Sequence, residues 1–147
     1  MNQSADALVS NRLDLSLKVD GGEEDILIGA DFYPSGDAAG AWITVYFEGV
    51  RDYLMVLTKG MLTPGKYEVD SGDNCPVRIF FSKNIGNGIN YGYEGRGVMI
   101  IDEYVMEPPR LLFKGSLDVF LLDHRTQVVK WRAKSDNFQF SKGLGKS

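Results

Sequence analysis

Catalytic and cross-linking side chains are scarce in this chain. Its 147 residues hold one cysteine, Cys75, and one histidine, His124. A single cysteine excludes an intramolecular disulfide, which fits a reducing compartment. One cysteine and one histidine, far apart, do not make the ligand set of a structural zinc site. There is no G-x-S-x-G, so a Ser-His-Asp system would have to recruit His124. That residue sits in Asp123-His124-Arg125-Thr126, which reads as a hairpin-like turn with no nucleophile motif to match it. No cofactor is implied.

Positive charge in excess is missing too. Sixteen Lys and Arg stand against twenty Asp and Glu, a formal charge of −4. Nucleic acid is therefore not an expected partner, because that binding needs a basic surface to displace counterions. No apolar run approaches the roughly 20 residues of a membrane-spanning helix. Met1 to Ser10 is polar, has no Lys or Arg, and lacks the apolar core of a signal peptide. With Met1 as the native start, these features predict a cytoplasmic protein with no membrane contact. Helical periodicity is also absent.

What the chain has is alternation. Leu13, Leu15, Leu17 and Val19 alternate with polar residues, the pattern of a half-buried strand. Ile26, Ile28, Ala30 and Phe32 share one parity and suggest its hairpin partner. Pro34 to Gly40 reads as a loop. Ile43, Val45 and Phe47 form the next inward set. The apolar run Tyr53 to Thr58 suits a central strand, after a turn that includes Asp52. Short strands follow at Lys66–Val69, Arg78–Ser82 and Val98–Met106. Leu111, Phe113, Leu117, Val119 and Leu121 share a parity, with Gly115 among them. A glycine inside a strand marks a bulge or a close backbone approach. Val129, Trp131 and Ala133 have the parity opposite to Phe138 and Phe140. Keeping both sets in the core requires a β-bulge near Ser135 to Asn137.

About nine strands with closely spaced turns predict an all-β fold, an antiparallel β-sandwich, jelly-roll-like or a flattened barrel. One domain is expected over residues 11–141, with a flexible leader at 1–10 and a flexible tail at 142–147. Hydrophobic residues at 44% suit a single core.

Two segments are candidate contact surfaces. Lys83 to Gly97 is fifteen residues with five glycines and two tyrosines. It reads either as a long loop, and such loops are often functional, or as a wide glycine-rich hairpin whose tyrosines pack on the sheet. Tyr91 and Tyr93 offer amphipathic contact area and Arg96 a charged anchor. Its glycines do not form a phosphate loop, because neither Lys-Ser/Thr nor a helix pattern follows. The second candidate is Trp42 and Tyr46, with Thr44, on the face opposite Ile43, Val45 and Phe47. An outward aromatic row could bind a sugar or a protein. The expectation is that a second sheet, an edge loop or the leader covers it.

Two further chemistries stay open. Asp70-Ser71-Gly72-Asp73-Asn74 resembles a calcium loop in composition but lacks ordered ligand spacing and a terminal glutamate, so no metal is expected. Asp102, Glu103 and Asp118 could serve a carboxylate-dependent hydrolase if they converge. Their alternation with apolar neighbours suggests a solvated face instead.

The features from Trp42 to Phe140 resemble small bacterial β-sandwich domains of unknown function, often found in lipoproteins. Pro64-Gly65-Lys66-Tyr67, Gly115-Ser116-Leu117 and Asn137-Phe138 carry the likeness, over about two-thirds of the chain by its count of strands. The chain departs from them in having no signal peptide and no lipid-attachment cysteine near the start. The resemblance implies a fold and supplies no activity. The expected function is a non-catalytic binding module. Its partner is another protein, with a glycan as the second choice. Alternatives are the hydrolase and a structural subunit assembling as a homo-oligomer through sheet edges.

Overall fold

Alternation builds each strand. In β3 (Gly40–Phe47), Ala41, Ile43, Val45 and Phe47 are buried while Trp42 and Tyr46 are exposed. Nine such strands account for the fold in the computed structural model, which describes residues 11–19 and 22–143. The others are β1 (Asp14–Lys18), β2 (Glu24–Asp37), β4 (Tyr53–Thr58), β5 (Gly65–Val69), β6 (Val77–Gly86), β7 (Ile89–Glu107), β8 (Arg110–Asp123) and β9 (Val129–Lys142). The expected leader at 1–10 and residues 144–147 of the expected tail lie outside the described residues. Lys142, expected in the tail, is the last residue of β9.

The strands pair in the order β1-β2-β3-β4-β6-β5-β7-β8-β9 and close into a barrel, with additional pairing between β6 and β7. Closure comes from β1, which pairs with β2 on one side and β9 on the other. The pairing follows a barrel and does not divide into the two facing sheets of a sandwich. Nor is it wholly antiparallel. β5 meets β6 in parallel through one register pair, Val69 with Val77. The short loop between them leaves no room for the crossover that a longer parallel pairing requires.

Aromatic side chains fill much of the core. Phe138 and Phe140 stack with centroids 4.9 Å apart, and Phe113 sets its edge against both. The bulge expected in β9 is present. Gly115 pairs with Phe138, but Leu117 pairs with Ser135, so β9 carries one extra residue there. That extra residue turns Ala133, Phe138 and Phe140 all inward. Gly115 is a close-approach site as well. A Cβ at that position would collide with the carbonyl oxygen of Ile100.

Two local expectations are corrected. Ile26 and Ile28 are exposed, and Leu27 packs against the core instead. A register shift between Gly29 and Asp31 reverses the parity of β2, so Phe32 turns inward beyond it. Pro34 to Gly40 is not a loop. β2 runs on to Asp37 in register with β3, pairing Pro34 with Ile43 and Ser35 with Trp42.

Candidate functional site

Of the two readings of Lys83 to Gly97, the structure has the hairpin and not the long loop. β6 and β7 pair from Phe80–Glu94 to Gly86–Ile89, and the connection is Asn87-Gly88. Both turn residues have positive φ, 54° and 74°. Two-residue turns of this kind match strand twist and favour Asn-Gly. The glycines are therefore parts of a turn and a strand.

This hairpin separates the three residues expected to act together. Tyr91 and Tyr93 lie on the inward parity of β7, with rings 5.4 Å apart. The Tyr91 hydroxyl donates to both carboxylate oxygens of Asp123, at 2.7 and 2.8 Å. Its ring also lies 4.9 Å from that of His124. The Asp123 hydrogen bond raises the Tyr91 pKa and lowers that of Asp123. Asp123 also accepts the backbone N–H groups of Arg125 and Thr126, closing the turn expected there. Tyr93 packs between Phe81 and Trp131, and burial raises its pKa. Arg96 has the opposite parity, donates to Gln127 at 2.8 Å and pairs with Asp70 at 3.3 Å. These are intramolecular engagements, with Tyr91 and Arg96 reaching Asp123 and Gln127 of one turn from opposite faces of β7.

The second candidate forms a surface. On the outer face of β3, Trp42, Thr44 and Tyr46 oppose Ser35, Tyr33 and Asp31 of β2. On the other side they oppose Leu57, Met55 and Tyr53 of β4. Tyr33, Trp42 and Tyr46 are 59%, 57% and 38% exposed, so neither a second sheet nor an edge loop among the described residues covers them, and the leader, the third expected cover, lies outside those residues. Tyr46 meets Tyr33 edge-on at 5.8 Å and lies 5.2 Å from Tyr53. Half-buried Met55 and Phe80, paired across β4 and β6, continue the apolar stripe. Beside the tyrosines lies an open groove of about 730 Å³ whose lining includes Asp31, Arg51, Asn84 and Asn90.

Asp52, which the sequence offered only as a turn residue, holds one wall of this groove. Its side chain is 1% exposed. It accepts the Asn84 backbone N–H at 2.8 Å and pairs with Lys83 at 3.1 Å. The β3–β4 turn is thereby tied to the β6–β7 hairpin. Only the position of an acid just before a buried strand hinted at this role.

The remaining candidates stay apart. Glu103 pairs with Lys114 at 3.4 Å, and Asp118 forms two hydrogen bonds with Arg132, at 3.0 and 2.7 Å. The Arg132 guanidinium lowers the Asp118 pKa. Asp102 is exposed at a register shift in β7. Among the described residues no three His, Cys, Asp or Glu side chains are placed to hold a metal ion, and Asp70 and Asp73 instead pair with Arg96 and Arg78. No helix among them is long and apolar enough to cross a membrane.

No protein-family model, curated protein or solved structure matches the chain.

Proposed function

We propose that this chain is a non-catalytic interaction module that binds another protein through the outer face of β2, β3 and β4. The observation that carries the reading is the exposed, in-register aromatic row of Tyr33, Trp42 and Tyr46. Burying one such side chain yields roughly 1.5–3 kcal/mol. Tyr, Trp and Met are also the residues enriched in interface cores, and Trp and Tyr dominate binding hot spots. Asp31 and Arg51 supply the polar rim that such cores need. Tyr91, Tyr93 and Arg96, the first contact candidates, serve the barrel end in this reading.

A second reading is favoured by the groove. A glycan would stack its apolar C–H face on the tyrosine rings and bond its hydroxyls to Asp31, Asn84 and Asn90. The hydrolase reading has less support, because Glu103 and Asp118 each pair with a cation of their own, Lys114 and Arg132. With β1 paired to β9 at residues 16–18 and 132–134, a homo-oligomer would assemble through a face of the barrel and not through that stretch of the two strands.

The test compares capture of partners by wild type, a Trp42→Ala/Tyr46→Ala variant and a Tyr91→Phe variant, each shown to be folded. A stoichiometric protein lost only with the Trp42→Ala/Tyr46→Ala variant is expected. Equal retention by all three would rule out this face. Binding to an oligosaccharide array that depends on Tyr46 would move the reading to the glycan.

A further inference from the structure

A different part of the surface has a strand edge that no described strand covers. β9 begins at Val129, but its β1 neighbour reaches only as far as the pair Lys18 with Arg132. Residues 129–131 therefore have β8 on one side and no strand partner on the other among the described residues. Lys130 is itself a bulge residue, since Leu121 pairs with Trp131 and Leu122 with Val129. This edge borders a groove of about 740 Å³ whose walls include Lys18, Phe120, Lys130 and Arg132. Phe120 and Val129 are 48% and 51% exposed.

Among the described residues, every ionisable side chain lining this groove is a cation, in a chain whose formal charge is −4. Arg132 is neutralised by Asp118 at 2.7 Å. Lys18 and Lys130 have no ion pair among the described residues. Glu24, opposite Lys18 in the register, accepts from Ser16 instead. The Lys130 ammonium lies 5.7 Å from the centre of the Trp131 ring.

We propose that this groove takes an extended acidic segment of another protein, which adds as a strand along Val129–Trp131. Strand addition derives affinity from main-chain hydrogen bonds and specificity from alternate side-chain sites. Here alternate residues of the guest would set carboxylates against Lys18 and Lys130 and apolar side chains against Phe120 and Val129. A bulge and a lysine at an open edge also repel indiscriminate strand pairing. Lys130 thus selects an acidic guest over a neutral or basic one.

The experiment uses the full ¹⁵N-labelled chain and an acetylated octapeptide alternating Glu and Val, with a Lys and Val octapeptide as control. Expected are shifts and slowed amide exchange at residues 129–131 with the acidic peptide alone, weakened by added salt. Lys18→Glu/Lys130→Glu should weaken binding on the order of tenfold, the product of two exposed ion pairs. Lys18→Gln/Lys130→Gln, milder changes at exposed positions, should give a smaller loss. The proposal is overturned by equal binding of the basic peptide, by unaltered exchange at 129–131, or by no binding at about 1 mM.

Discussion

Replacing Asp52 with alanine should destabilise the barrel by about 2–3 kcal/mol, a figure built from three contributions. The carboxylate is buried and accepts the Asn84 N–H, and an orphaned buried donor costs about 1–3 kcal/mol. Breaking a fully buried ion pair costs about 3–5 kcal/mol. Lys83 is 39% exposed, however, so its ammonium can return to water once Asp52 is gone, and that second cost falls well below its usual range. Relief of the carboxylate's own desolvation offsets part of the remainder. Asp52→Asn keeps an acceptor for Asn84 and should lose only about half as much, within the range of one charge-assisted hydrogen bond. Urea unfolding followed by tryptophan fluorescence gives both values. At this chain length each 1 kcal/mol moves the Tm by about 2–4 °C, so the alanine variant should melt about 4–12 °C lower. Adding Lys83→Met completes a double-mutant cycle, whose coupling energy should be at least about 0.5 kcal/mol. An alanine variant within about 0.5 kcal/mol of wild type would refute the reasoning, because the tie between the β3–β4 turn and the β6–β7 hairpin would then contribute nothing.

Gly115→Ala should cost about 3 kcal/mol, the upper end for overpacking, because the obstacle is the Ile100 backbone oxygen and not a movable side chain; a wild-type urea midpoint would contradict this. Gly88→Ala meets open space but keeps φ at 74°, so it should lose only the left-handed penalty of about 1 kcal/mol, which the same assay reads. Asp123 has its folded pKa held below the unfolded value of about 3.9, first by the Tyr91 hydroxyl. Its stabilising contribution is therefore complete above that value and disappears as pH falls through the folded pKa. Asp123→Asn should flatten the fall of the urea midpoint below about pH 5, and an unchanged slope would show that another carboxylate governs acid unfolding.

Strand parity made much of the core legible. The inward sets of β3 and β8 were readable because each strand keeps one parity over a buried face. The conflict between Ala133 and Phe138 even located the β9 bulge, since only an extra residue reconciles them. The same logic failed in β2. There the shift near Ala30 leaves Ile26 and Ile28 outside, and no parity conflict in the sequence announced it. Pro34 misled because proline is a turn residue, yet a strand tolerates it where its missing N–H is not needed. The glycines of β7 misled for a similar reason. Gly95 and Gly97 are in the strand because β6 and β8 approach them too closely for a side chain, a fact about neighbours distant in sequence. The Asn87-Gly88 turn was a local signal for the hairpin that reading the segment as one glycine-rich stretch passed over. Trp42 and Tyr46 were correctly placed opposite the core set, but whether anything covered them depended on the closure of the barrel.

That difference decides how the two aromatic groups can be probed. Tyr91 has its hydroxyl on Asp123 and its ring against Tyr93 and His124, so removing it disturbs the barrel end. A loss of binding in a Tyr91→Ala variant would thus report folding as readily as contact. Trp42 is more than half exposed, and its indole takes no part in any hydrogen bond or ring contact among the described residues. Trp42→Ala should therefore leave stability within about 0.5 kcal/mol of wild type, as is usual for a surface site. As a hot spot it should nevertheless weaken partner binding by about 2 kcal/mol or more, roughly thirtyfold. The pair of measurements separates the roles. A Trp42 variant that unfolds more readily has lost packing and belongs with Tyr91. One that is equally stable and binds as well as wild type would remove the outer face of β3 from the interaction altogether.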